Sequence, residues 1–327
     1  MTSTRSDTAA GPTRAAPRAT VVIETSTNEE YHQRGAAVFD QASVLERVLE
    51  EAASVPLEVL IMTSAGDVDA WQRVAHDRGV RVVPVDQSSY YAMKTAGAQL
   101  ATTEYVLFLD GDCTPRPGWA RAAVAALDAG ADAVAGKTRY IDKSPLGRAM
   151  SYFDMGNVSE AADGNATSIV LNNVGFRRDR YLANPIDTRL RRSGGCFLLN
   201  CRLRAARQRV VYEPKMFVEH GNDYKENFCL AKRIRNGHDT ATLYRIDEDA
   251  VVPHQWLPRL GPLGAPLVVG RRLLDDGFLL ARTHRDFNIS AAAAALVWLL
   301  AIPLRLVEGV AYAISSVKPS IIGRRWG

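Results

Sequence analysis

Cysteine is scarce in this chain, and so is excess charge of either sign. The 327 residues include four cysteines, Cys113, Cys196, Cys201 and Cys229, none in C-x-x-C spacing. That argues against a zinc site and against a disulfide framework; with no secretory signal ahead of them, it fits a reduced, cytosolic setting. The formal net charge of +4 is too small to argue for a nucleic-acid partner. A membrane-spanning helix needs roughly 20 uninterrupted apolar residues. The nearest stretch, 289–304, falls short of that and is ended by Arg305.

What is present is ordinary for a folded protein. A hydrophobic fraction of 47% and a charged fraction of 23% leave ample core for one large α/β domain with an accessory segment. Residues 1–18 are rich in Thr, Ala, Pro and Arg without apolar periodicity, which reads as a disordered leader. Its Arg-rich, acid-poor composition is also that of a transit peptide, but the amphipathic pattern is missing. Ten arginines between Arg177 and Arg209 crowd one region. They could face an anionic donor or lipid head group; a solvated helix face is the plainer reading for most of them.

Strands and helices alternate along the first half. Thr20-Val-Val-Ile-Glu24, Leu57 to Met62, Val80 to Val85 and Tyr105 to Leu109 read as strands, with Pro84 marking an end or an edge. Helical spacing runs from Phe39 to Ala53, Asp69 to Arg78 and Tyr90 to Leu100. This alternation with short links predicts a parallel sheet covered by helices. A helix from Trp119 to Ala129 and a strand at Ala133-Val-Ala-Gly136 follow. Beyond Arg139 the alternation fades, and short strands are expected on either side of Pro214, at Arg209 to Glu213 and Phe217 to His220.

The most informative triplet is Asp110-Gly-Asp112, at the end of the apolar run Tyr105-Val-Leu-Phe-Leu109. Five apolar residues without alternation read as a buried parallel strand. Ligands bind at the C-terminal ends of such strands. The intervening Gly lets both carboxylates converge on one site, where they would hold a hard divalent cation and through it a diphosphate. Asp and Gly are also ordinary turn residues, so a polar turn capping the strand is the competing reading.

The C-terminal stretch differs in character. Pro262 to Leu280 is apolar but interrupted by Arg271, Arg272, Asp275 and Asp276, and Leu306 to Val317 is apolar but contains Glu308. An interfacial or re-entrant hairpin is expected, with Trp298, Arg305 and Lys318 near lipid head groups. A helical hairpin packed on the domain is the soluble alternative.

Several ordered pieces resemble a family 2 glycosyltransferase with the GT-A fold, from about Val21 to about His220. Val21-Val-Ile-Glu-Thr25 with Asn28 resembles the first strand and its nucleotide-contacting loop. Tyr90-Tyr-Ala-Met-Lys-Thr-Ala-Gly97 is similar to the A-R-N-x-G helix, with Lys94 at the Arg position. Thr103 to Asp112, with Pro115-x-Pro-Gly-Trp119, resembles the metal-binding strand. Asn172-Asn-Val-Gly-Phe-Arg-Arg178 resembles the acceptor-side N-x-x-F-R-R element, and Tyr212-Glu-Pro214 with Val218-x-His220 the closing P-x-x-x-V-x-H.

The resemblance implies transfer of a sugar from a nucleotide-sugar donor, usually with inversion, with Mn²⁺ or Mg²⁺ stabilising the leaving diphosphate. It implies Asp110, Asp112 and His220 as metal ligands, the imidazole suiting Mn²⁺ better. Glu24, Thr25, Asn28, Asp67, Lys94, Asp110 and Asp112 would contact the donor. Two departures stand out. The D-D-x-S loop is replaced by Met62-Thr-Ser-Ala-Gly-Asp67, leaving only Asp67. The Glu-Asp pair, whose aspartate is the usual general base, falls on Gly195-Cys196. Asp187, Glu219 and Asp223 are the replacement candidates; Cys196 could take part, or an already ionised phosphate or carboxylate acceptor would need no strong base. The expected organisation is a leader at 1–18, a GT-A domain at 19–255 and a helical, membrane-associating segment at 256–327. The expected acceptor is lipid-linked or a polysaccharide glycan, at the cytoplasmic face of the membrane. A soluble small-molecule acceptor, a degenerate nucleotide-binding member and a nucleotidyltransferase are the alternatives. The last would carry a Gly-rich, Arg- and Lys-bearing loop, which Thr25-Ser-Thr-Asn28 is not.

Overall fold

The computed structural model describes residues 16–26, 41–85, 89–190, 194–221 and 226–322. The expectations for Asn28, Asp223 and most of the 1–18 leader lie outside them. Strand β1 (Ala19–Glu24) is buried along its whole length, because it pairs parallel to both β2 (Leu57–Thr63) and β4 (Tyr105–Asp110). A strand covered on both faces favours apolar side chains at every position, so none of the three alternates. Successive side chains instead feed two cores. Val22, Leu60, Val106 and Phe108 share one with side chains of α3 (Tyr90–Leu100) and α7 (Gly195–Ala205). Val21, Ile23, Leu107 and Leu109 share the other with α1 (Gln41–Glu51), α2 (Val68–Ala75) and α4 (Trp119–Asp128).

The sheet runs β3-β2-β1-β4-β7-β6-β8-β5, with β3 (Arg81–Pro84) on one edge, where a proline without an N–H is tolerated. Strand β7 (Asn173–Arg177) is antiparallel to β4 and to β6 (Ala133–Tyr140). Strand β8 (Val210–His220) runs parallel to β6, and the short β5 (Cys113–Pro115) is antiparallel to β8. This mainly parallel sheet flanked by helices, with a long apolar C-terminal helix, is the α/β GT-A architecture that the resemblance implied.

Two expected strands are one. Pro214 does not end β8; the register against β6 jumps from Gly136↔Glu213 to Lys137↔Phe217, so residues 214–216 bulge out between them. A bulge is where a strand tolerates a proline. Asn173 secures it, its amide donating to Met216 O and Lys137 O, both at 2.9 Å, while its Oδ1 accepts from Trp119 Nε1 at 2.8 Å.

The arginines that crowd residues 177–209 are largely structural. Arg178 donates to Ala98 O and Gln99 O at the end of α3, and Arg177 to Leu127 O in the last turn of α4. Cationic side chains at helix C-termini satisfy the orphan carbonyls there. Arg204 bonds Ala166 O and Thr167 O, and Arg209 bonds Ala129 O.

The C-terminal part comprises α8 (Glu226–Ile246), α9 (Ala265–Thr283) and α10 (Ala291–Val317). Helix α10 starts on Ser290, whose hydroxyl accepts from Ala293 N, and continues through Pro303 and Arg305 for 27 residues. It is long and apolar enough to cross a membrane by length and composition. Arg305 and Trp298, expected near lipid head groups, are instead bonded to the protein. Arg305 is buried in ion pairs with Asp276 and Glu308, and Trp298 Nε1 donates to Leu273 O at 2.9 Å. One side of α10 is therefore committed to the protein. The crossing with α8 is tight: a Cβ at Gly237 would lie 2.2 Å from Glu308 O, so only glycine fits. The opposite side carries exposed Leu299, Leu306 and Val310.

Candidate active site

Asp110 ends β4 on the face that β4 shares with α3. Tyr90 and Lys94, one helical turn apart on α3, both reach it. The fully buried Lys94 ammonium lies 2.6 Å from Asp110 Oδ1, and the Tyr90 hydroxyl donates to the two Asp110 oxygens at 2.9 and 3.1 Å. Burial, then the Asp110 charge, pushes the Tyr90 hydroxyl well above its ordinary pKa, so it stays protonated and donates. The ammonium at the Arg position of the family's helix thus holds the first carboxylate of the triplet.

After Asp110 the chain turns, with Gly111 N donating to Glu24 O at 2.7 Å. Pairing of β5 with β8 then sets Cys113 opposite His220, and Gly221 N donates to Asp112 O. That register brings one ligand atom each from Asp110, Asp112, Cys113 and His220 within 4.8 Å of one another, all four residues buried. His220 Nδ1 is 3.7 Å from Asp112 Oδ2 and also contacts Gly221 O. Carboxylate oxygens with an imidazole suit a hard or borderline divalent ion. Burial more than the neighbouring carboxylates pushes the Cys113 thiol well up in the metal-free site, whereas a bound ion deprotonates a coordinating thiol outright. The candidate donor set is therefore Asp110, Asp112 and His220, with Cys113 beside them. Cys113 is the member that the sequence reading did not single out, although it adjoins Asp112.

The other expected residues divide. Glu24 is buried and in register with Asp110, its carboxylate accepting from Ser26 N. Thr25 donates to Met62 O and Thr63 Oγ1. Asp67 sits half-buried at the start of α2 without capping it. Asp187 lies elsewhere, in a depression of about 420 Å³ with Arg189, Arg202 and Asp249. Hydrogen bonds from Arg189 hold it below the usual carboxylate range. Glu219 precedes His220 on β8 and so faces the other way. It pairs with Arg116 at 2.9 Å and Lys143 at 3.2 Å; burial would raise its pKa, but these two bring it below the usual range.

A cleft of about 1030 Å³ starts at Asp110 and His220, passes Tyr91 and Cys196, and reaches α8 and α9. The first turn of α7 supplies Gly195 and Cys196. A Cβ at Gly195 would meet the Tyr91 ring at 2.5 Å, so a larger side chain there requires that ring to move. Burial raises the Cys196 thiol, which lies 3.9 Å from the Tyr91 hydroxyl.

Deeper in the cleft, charges from four helices interlock. Asp154, on α5 (Pro145–Met155), pairs with Lys232 at 2.7 Å and with Arg233. Glu308 takes Arg233 at 3.1 Å, Arg305 at 2.9 Å and Arg272, while Arg305 also pairs with Asp276 at 2.7 Å.

The family model for glycosyl transferase family 2 matches residues 37–201, half of the chain and the stretch that carries the Asp110-Gly-Asp112 strand end. The chain belongs to glycosyl transferase family 2. It is a glycosyltransferase that acts on a nucleotide-sugar donor, and its Asp110, Asp112, Cys113 and His220 cluster could hold a divalent metal ion. No curated protein matches it by sequence. Among solved structures, a mannosyltransferase from Pyrobaculum calidifontis in complex with GDP-Man and Mn²⁺ is similar, with a TM-score of 0.58 and 16% identity. The similarity covers 92% of this chain and 87% of that one, a likeness of fold. GalNAc-T7 with UDP, GalNAc and Mn²⁺ aligns at a TM-score of 0.48 and 12% identity, over 75% of this chain and 51% of that one.

Proposed function

We propose that this family 2 enzyme transfers a sugar, with inversion, from a nucleotide-sugar donor to a lipid-linked acceptor at the cytoplasmic membrane surface. One observation carries the acceptor reading. Trp256, Leu267 and Leu274 line the same cleft as Asp110 and His220, yet are 50%, 48% and 60% exposed. The cleft therefore opens among outward apolar side chains, and exposed Leu263 and Phe278 extend that surface. An apolar surface of this kind, continuous with a polar cleft, fits the boundary between head groups and acyl chains. A soluble polar acceptor would have no use for it.

In this reading the unit at 19–255 holds the donor and the segment at 256–327 lies against the membrane. One side of α10 is locked to the protein through Glu308, which supports a helix in the interface plane rather than across the bilayer. Asp110, Asp112 and His220 would hold Mn²⁺ or Mg²⁺, with the imidazole favouring Mn²⁺. When bound, the ion supplies positive charge to the departing diphosphate. Lys94 and Tyr90 orient Asp110. Glu24, Thr25 and Asp67, at the C-terminal ends of β1 and β2, lie where the donor's nucleoside is expected. The family's Glu-Asp pair is replaced by Gly195-Cys196, with Tyr91 against Gly195, which supports a divergent member.

The test is to incubate the purified chain with a panel of nucleotide sugars and Mn²⁺, and to follow nucleoside diphosphate release with and without membrane extract. Release that depends on Mn²⁺ and rises with the lipid fraction is expected. Equal release with a water-soluble glycan extract and none with lipid would overturn the acceptor reading.

A further inference from the structure

We infer that Tyr140 is a positioning residue for the metal site: its ring fixes the orientation of the His220 imidazole, and Asp154 fixes the ring. The inference rests on the reading of His220 as a metal ligand and deepens it. An imidazole offers an ion a lone pair in the plane of its ring. A tilted ring therefore loses the bond even when its backbone is in place. The groups packed behind a ligand decide how well it binds.

The sheet brings Tyr140 to His220. A regular ladder continued from Gly136↔Glu213 would set Tyr140 opposite Phe217. The bulge of residues 214–216 moves the pairing to Lys137↔Phe217, so Tyr140 lies opposite His220 instead. The two rings meet edge to face, their centroids 5.2 Å apart and their planes at 81°. That is a geometry aromatic pairs favour. The imidazole Nδ1 contacts Gly221 O and lies 3.7 Å from Asp112 Oδ2. A contact at one ring nitrogen leaves the ring free to tilt about it, and the Tyr140 ring removes that freedom.

Tyr140 is itself held at both ends. It is buried, packed with Met150 and Met155. Its backbone N–H donates to Ser151 Oγ at 3.2 Å. Its hydroxyl donates to Asp154 Oδ2 and accepts from Lys232 Nζ at 3.4 Å. Asp154 is clamped in turn by Lys232 at 2.7 Å and by Arg233. Burial alone would raise the Asp154 pKa, but these two cations hold it well below the usual carboxylate range, so it stays an acceptor for the hydroxyl. A phenylalanine would fill the same apolar space; the hydroxyl, tied to one acid and one base, is what sets the ring's angle. The ligand on β8 thus takes its support from α5 and α8, helices that supply none of the four clustered residues.

The test compares the full chain with its Tyr140→Phe, His220→Ala and doubly substituted variants, using Mn²⁺ alone as the probe. Affinity is read by isothermal titration calorimetry, and the contact between Mn²⁺ and imidazole by nitrogen modulation of the electron spin echo. Tyr140→Phe keeps the ring and loses the hydroxyl. It should weaken Mn²⁺ binding about tenfold, as loss of a group behind a ligand does, and reduce the nitrogen modulation. The metal-free variant should still melt cooperatively. Diphosphate release should need about tenfold more Mn²⁺ for half-activation, with kcat at saturating Mn²⁺ near parental. With His220→Ala already present, Tyr140→Phe should change the affinity by less than about twofold, because the group it positions is gone. Parental affinity in Tyr140→Phe, beside weakened binding in His220→Ala, would overturn the inference and leave the ligand reading intact. An equal loss in both backgrounds would also overturn it, since Tyr140 would then act on the site as a whole. Parental affinity in His220→Ala would remove His220 from the metal site, and the inference with it.

Discussion

Glu308→Gln tests the charge cluster that joins the C-terminal helix to the cleft. The substitution keeps the shape of the side chain and removes its charge. Glu308 is almost fully buried and accepts from Arg233, Arg272, Arg305 and Asn236. Its loss does not strand all three arginines. Arg233 keeps Asp154, and Arg305 keeps Asp276. Among the described residues Arg272 keeps the Thr240 hydroxyl at 2.7 Å, and its side chain is 30% exposed. Stranding one buried charge costs about 3–5 kcal/mol, and Arg272's partial exposure reduces that to about 2–3 kcal/mol. For a chain of this size the melting temperature should fall by roughly 3–5 °C.

Thermal unfolding followed by circular dichroism in mild detergent measures this directly. A double-mutant cycle adding Arg272→Met should recover a large share of the loss, because the stranded charge is then gone. The pH dependence has a definite sign. Burial would raise the Glu308 pKa, but Arg272, Arg305 and Arg233 hold it at about 2, against an ordinary 4.5. A depressed carboxylate contributes stability above its unfolded value and loses it as pH falls through the folded one. The gap between parent and Gln variant should stay constant from neutral pH down to about 5 and close only below about 4. A variant melting within about 1 °C of the parent, or a gap that closes near neutrality, would refute the reasoning.

Three further perturbations address the site and the apolar face. Asp112→Asn should cut Mn²⁺-dependent diphosphate release at least about a hundredfold, and Mn²⁺ should no longer raise the melting temperature; turnover at the parental rate would remove Asp112 from the metal site. Gly195→Glu, restoring the family's residue, should destabilise the chain by about 1–3 kcal/mol because Tyr91 occupies the space. A Tyr91→Ala partner substitution should relieve it, and a parental melting curve for the single variant would contradict the packing. Phe278→Glu with Val310→Glu, at positions 71% and 61% exposed, should weaken sedimentation with anionic vesicles while leaving the melting temperature near parental; unchanged sedimentation would count against a membrane-facing surface.

The first half of the fold was legible because its strands are buried on both faces and its links are short. Val21 to Ile23, Leu57 to Met62 and Tyr105 to Leu109 carry their pairing in their composition. Strand β5 was not legible: three residues have no period, and Cys113-Thr-Pro115 is a strand only because β8 pairs with it. The split at Pro214 was a reasonable inference from a residue without an N–H. What sequence could not supply was Asn173, whose side chain replaces the missing ladder bonds by donating to Met216 O. Asp110 and Asp112 were legible as a pair because they are neighbours in sequence. His220 was visible only through the family pattern, since its approach to Asp112 is set by the β5–β8 register.

The C-terminal segment shows what hydropathy alone misses at Arg305. A run-length argument counts every charge in an apolar helix as an interruption, whether or not the charge has a partner. Here Arg305 and Glu308, one turn apart on α10, pair with each other, and Asp276, Arg272 and Arg233 complete their neutralisation from α9 and α8. A charge cancelled in this way marks the side of the helix that docks on the protein. It leaves the opposite side free to be apolar, as Leu299, Leu306 and Val310 are. The charges that seemed to end a membrane helix are therefore the ones that fix its orientation. They turn its apolar side outward, and they set Arg233, Arg272 and Arg305 along the cleft wall.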